Sequence, residues 1–253
     1  MRSPQSILIT GASSGIGAAL AVAYARPGIT LALTGREPIR LAGTANLCRA
    51  RGADVQTGIV DATDRNGMRA FVEAQDAIRP LDLVIANAGI SLGSSNLAEM
   101  EARTRQIFAV NVDGVLNTVH PAVEHMLARG RGQVALMSSL AGFRGMPGGA
   151  AYAASKAAVR SYGEGLRGQL ADRGVEVTVI CPGFVRSGMT ARNRFPMPFL
   201  MDAERAARII VRGLEANHGR IAFPWPMYFG AWLFNALPDW LADALTRRLP
   251  AKE

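Results

Sequence analysis

The sequence predicts an α/β fold: a doubly wound parallel sheet flanked by helices on both faces. Short apolar runs rich in Val, Ile and Leu recur along the chain, and longer amphipathic stretches alternate with them. Strands buried on both faces read as continuous apolar runs, and regular alternation of strand and helix calls for crossover connections between parallel strands. No internal repeat or low-complexity linker interrupts the alternation, and 253 residues with 49% hydrophobic and 19% charged side chains can fill one large core. The chain is therefore read as a single domain over residues 1–253.

The elements follow in order. "SILIT" (6–10) is the first strand, followed by the turn "GASSGIG" (11–17) and a helix within "IGAALAVAYAR" (16–26). "ITLALT" (29–34), "DVQTGIV" (54–60), "LDLVIA" (81–86), "GQVALMS" (132–138) and "VEVTVI" (175–180) are the next five strands, each bounded by polar or glycine-containing turns. "AERAARIIVRGLEA" (203–216) is a late helix. Two stretches break the rhythm. Residues 188–201, ending in "TARNRFPMPFLM", read as a lid over a pocket. Residues 221–253 form a helical, aromatic extension that holds all three tryptophans.

The first turn carries chemistry. Gly11, Gly15 and Gly17 lie directly after a strand and open a helix, with Ser13, Ser14 and Ile16 between them. Glycine lets backbone approach a pyrophosphate, and a helix N-terminus offers free N–H groups and the positive end of its dipole. The spacing G-x-x-x-G-x-G departs from the commoner G-x-G-x-x-G of dinucleotide sites.

At this point the chain resembles the classical short-chain dehydrogenase/reductase family, whose first turn reads T-G-x-x-x-G-x-G. "TGASSGIG" (10–17) matches without a gap, and "NAG" (87–89), "NVDG" (111–114), "SS" (138–139), "YAASK" (152–156) and "PGFV" (182–185) follow in family order. The resemblance covers residues 6–190 and implies a Rossmann-type sheet. It also implies a nicotinamide cofactor and a carbonyl or alcohol substrate. Asp61 and Ala62 take the positions that contact adenine, though Asp61 also reads as a cap for a helix starting near Thr63. Asn87, Ala88 and Gly89 would hold the strand end open beside the cofactor ribose. Pro182, Gly183 and Val185 would line its nicotinamide side.

The second strand decides which cofactor. Gly35 stands where the resemblance puts an NAD-selecting acid, and Arg36 follows; a guanidinium there can pair bidentately with a 2′-phosphate. NADP(H) is favoured, with NAD(H) the alternative. Glu37 could clasp the ribose or repel a phosphate, and reads more simply as an acid at a helix start beside Pro38.

Of the 28 basic residues only Lys156 and Lys252 are lysine. Lys156 lies four residues after Tyr152 in an alanine-rich stretch, so the two side chains share one helix face. A phenol is a poor base at neutral pH, and a fixed ammonium beside it favours the phenolate. A compact ammonium can also bond ribose hydroxyls, which explains lysine in a chain that otherwise uses arginine. Ser139, thirteen residues before Tyr152, matches the family's substrate-holding serine, with Ser138 as the competitor. Asn111 matches the residue that holds a water beside the lysine; a helix-interior asparagine that bends the helix is the plainer reading. The implied reaction is hydride transfer between NADPH and a carbonyl, with Tyr152 as acid or base. A non-catalytic NADPH-binding scaffold would lack part of the Ser, Tyr, Lys set. An epimerase of the extended relatives fits the first turn and the length less well.

Other classes are disfavoured. Cys48 and Cys181 give no disulfide or metal spacing, and His120, His125 and His218 give no metal spacing. A net charge of +8 with a pI near 10.4 permits anionic partners, yet the arginines are scattered and no nucleic-acid motif occurs. No secretory signal pattern precedes Gly11, so the expected location is cytoplasmic. The run 227–237 is too short to span a bilayer, which takes about 20 residues. With Trp225, Trp232, Trp240, Arg247 and Arg248 it suits a helix lying at a membrane surface, where a lipid-linked substrate would be reduced. Pocket closure or subunit contact is the ordinary reading of the same aromatic residues and the one favoured. The resemblance implies a homodimer or homotetramer through the long helices carrying Asn111 and Tyr152.

Overall fold

The computed structural model of the protein describes residues 3–92, 97–193 and 195–246. Strands β1 (Ser6–Ile9), β2 (Thr30–Thr34), β3 (Asp54–Gly58), β4 (Leu83–Ala86), β5 (Gly132–Met137), β6 (Val175–Pro182) and β7 (Arg220–Phe223) form one sheet in the order β3-β2-β1-β4-β5-β6-β7. Every pairing is parallel, with Ile7 of β1 flanked by Leu31 of β2 and Leu83 of β4. Six strands fall where the apolar runs predict. The seventh overlaps the start of the stretch read as extension: "RIAF" pairs along the end of β6, from Val179 beside Arg220 to Pro182 beside Phe223. Four residues followed at once by proline and tryptophan carry too little periodicity to declare a strand, and pairing with β6 supplies what local sequence lacks.

The helices are α1 (Gly15–Tyr24), α2 (Pro38–Arg49), α3 (Arg65–Ile78), α4 (Leu97–Phe108), α5 (Gly114–Arg129), α6 (Ala150–Leu170), α7 (Ala203–Glu215), α8 (Trp225–Asn235) and α9 (Asp239–Thr246). Successive strand residues point to opposite faces, so β1 serves two cores. Ile7 and Ile9 face Leu20, Ala21 and Tyr24 of α1, with Leu41 of α2 and Ile210 of α7 in the same cluster. Leu8 faces the other way, into a cluster with Met68 of α3, Val119 of α5 and Val159 of α6.

Local chemistry fixes the ends. Pro38 sits in the first turn of α2, where its missing N–H costs nothing, and Gly130 ends α5 in the left-handed region at φ 65°. Asp64, not Asp61, caps α3: its carboxylate accepts a 3.0 Å bond from the Gly67 N–H. Asp61 instead closes a tight turn, accepting from the N–H and the hydroxyl of Thr63 at 2.9 Å each.

The helix predicted around Asn111 is interrupted. Residues Ala109–Asp113 form a wider π-helical turn between α4 and α5. Such single turns are rare inside α-helices and occur often at functional sites. The strand order reverses direction between β1 and β4, and the crevice at their C-terminal ends is where open α/β sheets bind ligands.

Candidate active site

A cleft of about 1210 Å³ opens at those strand ends. Gly11 and Gly15 begin it with φ of 66° and 56°, conformations that a side chain would strain. A Cβ at Gly17 would run into the Gly11 carbonyl oxygen and the Asn87 amide. Asn87 holds the turn from the other side, its Nδ2 donating to the Thr10 carbonyl at 2.9 Å and the Gly11 carbonyl at 3.3 Å. The backbone N–H groups of Asn87 and Ala88 both donate to Thr10 Oγ1, at 3.0 and 3.1 Å. Thr10 thus ties the end of β1 to the end of β4. Its role was not legible in the sequence, because its partners lie more than seventy residues away. Ser13, Ser14, Ile16 and Gly89 also line the cleft, and Ser14 stands at the N-cap of α1 without spending its hydroxyl on a capping bond.

At the end of β2 the walls are Thr34, Gly35, Arg36, Glu37 and Arg40. A Cβ at Gly35 would lie 3.2 Å from the Ser13 side chain, so glycine keeps this corner open. Arg36 spans the mouth to Asp61 at 3.6 Å, while Glu37 is paired to Arg40 at 3.8 Å. Desolvation pushes the Asp61 carboxyl up, but the Thr63 bonds and the Arg36 charge outweigh it and hold the group below its ordinary value. Ala62 lines the cleft beside it, and its carbonyl is held by Asn117 at 2.9 Å.

The other wall is built by β5, β6 and α6. Lys156 is buried, 3% exposed, and its Nζ donates to the Met137 carbonyl at 2.8 Å. Burial without a carboxylate partner brings the ammonium down to about 8. Its Nζ stands 5.8 Å from the centre of the Tyr152 ring. The phenol nonetheless departs from its ordinary value in the direction opposite to the one expected from that charge. Burial raises the Tyr152 phenol above its ordinary value, and the opposing influence is a hydrogen bond with Ser139.

The two serines separate cleanly. Ser138 Oγ donates to the Lys156 carbonyl at 2.7 Å and is spent on holding α6 against β5. Ser139 Oγ meets the phenol, accepts from the Ala141 N–H at 3.1 Å and lies 3.4 Å from the Pro182 carbonyl.

Asn111 is fully buried, and its amide is committed to protein. Oδ1 accepts from the Ile90 N–H at 2.8 Å, and Nδ2 donates to the Ile90 carbonyl and to Ser155 Oγ, both at 3.0 Å. Ser155 in turn donates to the Tyr152 carbonyl at 2.8 Å. Asn111 lies within the π-turn and anchors the segment after β4 to the helix carrying Tyr152. A Cβ at Gly89 would come within 3.2 Å of Asn111 Oδ1 and 3.3 Å of Lys156 Nζ, so backbone approaches both groups closely there.

Pro182, Gly183 and Val185 lie across the cleft, where Gly183 is pressed against Pro224 and Met227. From the stretch expected to be a lid, Gly188, Met189, Asn193, Phe195 and Pro196 line the cleft, with Phe199 turned outward; Arg194 lies outside the described residues. Met227, Gly230, Ala231 and Phe234 of α8 complete the wall. Their spacing of roughly one helical turn was a legible sign of one lining face. The three tryptophans are not among the lining residues, so they do not close the pocket; Arg247 and Arg248 lie outside the described residues.

The sequence pattern of the short chain dehydrogenase family matches residues 5–196. Over 247 residues the chain is 40% identical to an uncharacterized oxidoreductase of Myxococcus xanthus, covering 97% of each protein. It is 38% identical over 225 residues to an uncharacterized oxidoreductase of Mycobacterium tuberculosis, covering 87% of this chain and 88% of that one. Among solved structures it is similar to a short chain dehydrogenase from Mycobacterium paratuberculosis bound to NAD, with a TM-score of 0.76 and 25% identity over 86% of this chain and 94% of the other. A structure from Beutenbergia cavernae with NADP bound at low occupancy has a TM-score of 0.77 and 30% identity, covering 90% and 96%. With the family pattern spanning most of the chain and a relative of this identity along nearly its whole length, the protein belongs to the short-chain dehydrogenase family of oxidoreductases.

Proposed function

We propose that this oxidoreductase interconverts a carbonyl and a secondary alcohol with NADP(H), and that Tyr152 is its acid and base. One observation carries the reading: a buried serine hydroxyl, a half-buried tyrosine and a buried ammonium meet in the same cleft as the glycine turn. The cradle suits a dinucleotide: Gly11 and Gly15 hold left-handed backbone at the cleft wall, and Gly17 lets the turn close against the Gly11 carbonyl and Asn87. A reduced nicotinamide held there supplies hydride to the carbonyl carbon. Tyr152 gives its phenolic proton to the carbonyl oxygen, and the Ser139 hydroxyl donates a hydrogen bond to that oxygen as charge develops on it. Lys156, charged at neutral pH, would bond ribose hydroxyls and favour the phenolate left on Tyr152. Asn111 acts by positioning, through Ile90 and Ser155.

NADP(H) is favoured by Gly35, Arg36 and Arg40 together. Gly35 leaves room for a phosphate, Arg36 offers a guanidinium at the mouth, and Arg40 draws Glu37 into an ion pair, away from a ribose hydroxyl. NAD(H) is the alternative, which Asp61 or a released Glu37 would serve. Assembly as a homodimer or homotetramer through α5 and α6 belongs to the same reading. Ala154, Ala158, Ser161 and Gly165 form an exposed small-residue face on α6 that a second helix could approach closely.

The test is Tyr152→Phe. Carbonyl reduction should fall by about 10²–10⁴-fold, the usual worth of a positioned acid. NADPH binding, followed by fluorescence titration, should be retained. Undiminished turnover refutes the assignment.

A further inference from the structure

The helix α8, "WPMYFGAWLFN", contains no charged residue, yet it lies on the surface. A surface helix ordinarily turns a polar face to water; one that is apolar all round is covered on every side. The inner side of α8 is covered by the protein: Met227, Ala231 and Phe234 line the cleft, and Tyr228 packs edge-on against Phe143 at 5.6 Å. The outer side is bare. Trp225 is 68% exposed and Trp232 51%, with Phe229 stacked between them at 5.4 and 6.1 Å. Trp240 on α9 is 73% exposed, so none of the chain's three tryptophans is in the core. Leu233 and Leu245 are exposed on the same helical pair.

We infer that the outer face of α8 and α9 docks on an anionic lipid surface. Tryptophan favours the boundary between headgroups and acyl chains, where an apolar ring and a polar N–H are both satisfied. Charge separates this occupant from a second copy of the chain. The protein carries +8, a total that includes Arg247, Arg248, Lys252 and Glu253 after α9 and the acids Asp239 and Asp243 within it. Anionic lipid is attracted by that charge, whereas a second copy brings the same sign. Asp239, the acid at the start of α9, is paired to Arg144 at 3.0 Å. Arg144 also donates to the Phe234 and Leu237 carbonyls at 3.4 and 3.3 Å, fastening the helical pair to the segment that follows Ser139. Among the described residues no helix is long and apolar enough to cross a membrane, so the attachment is peripheral. Only the thickness of α8 separates the docking face from the cleft, whose lining includes Leu140, Met146, Met189 and Phe195. Resting on the oxidoreductase reading of that cleft, the substrate class is an apolar carbonyl or alcohol drawn from lipid.

Because every tryptophan sits on the proposed face, the emission of the native protein reports docking directly. The full chain is mixed with vesicles of phosphatidylcholine, with and without phosphatidylglycerol. The expected results are flotation with the anionic vesicles, a blue shift of tryptophan emission, and quenching by brominated acyl chains. The combined variant Trp225→Ser, Trp232→Ser and Trp240→Ser should bind those vesicles at least about tenfold more weakly, a change of 1.4 kcal/mol. An unchanged circular dichroism melt establishes that this variant is folded. Absence of both flotation and shift overturns the inference. So does a variant that converts a native dimer to monomer when the native protein ignores vesicles, because the occupant is then a second copy. Turnover of a long-chain ketone embedded in anionic vesicles tests the substrate class: flotation without turnover leaves docking standing and removes the substrate.

Discussion

Tyr152 and Lys156 depart from their ordinary values in opposite directions for one reason, since burial disfavours whichever form carries the charge. The phenol is raised and so stays protonated at neutral pH, the form that carbonyl reduction needs; alcohol oxidation needs the phenolate and should quicken as pH rises. The ammonium, at about 8 when folded against 10.5 ordinarily, penalises the folded chain below about pH 8. That penalty is relieved between about 8 and 10.5, where the unfolded chain binds the extra proton and stability rises with pH. With only two lysines, ¹³C-lysine labelling gives a spectrum that Lys156→Met assigns at once; the Lys156 signal of dinucleotide-free protein should titrate near 8. Titration near 10.5 would show that the ammonium is better solvated than its burial implies. The adjacent serines offer a second contrast. Ser139→Ala should lower kcat by about 10²–10³-fold, as loss of one oxyanion donor does. Ser138→Ala should leave kcat nearly unchanged and cost about 1 kcal/mol in a denaturant melt, because its bond joins α6 to β5. Sequence spacing to Tyr152 singled out Ser139, but only the hydrogen bonds reveal what Ser138 does instead.

At the scale of elements, the glycine turn and the Asn111 turn are two solutions to holding backbone near a ligand. Gly17 is the tightest point of the first: a Cβ there meets backbone oxygen and the Asn87 amide, neither of which is the free end of a flexible side chain. Gly17→Ala should therefore weaken dinucleotide binding more than tenfold and destabilise the chain by about 1–3 kcal/mol, measured by titration and by thermal melting. Normal binding would mean that the turn can relax away from Asn87. The motif was legible because its residues are contiguous. The role of Asn111 in the π-turn was not, because its partners Ile90 and Ser155 are 21 and 44 positions away. The strand β7 was hidden for a related reason: its four residues become a strand only by lying along β6.

For the molecule as a whole, cofactor binding and folding are linked, since a ligand that binds only the folded chain stabilises it. NADPH at 100 times its Kd should add about 2.7 kcal/mol, raising Tm by roughly 5–11 °C for a chain of this size. NADH at the same concentration should raise it less, and Arg36→Ala should narrow the difference; equal shifts for both nucleotides in the native protein would remove the preference argued from Gly35 and Arg36. The parallel α/β class, six of the seven strands, the phosphate turn and the Ser, Tyr, Lys spacing were determined by sequence alone, because each is written in contiguous residues with a fixed period. Tertiary structure alone decided the seventh strand and the division of α8 into a cleft face and a bare aromatic face. It also decided the commitment of Asn111 to Ile90 and Ser155 and the direction in which the phenol is shifted. Those outcomes depend on which distant groups burial brings together and which it leaves uncovered, and local spacing carries no record of either.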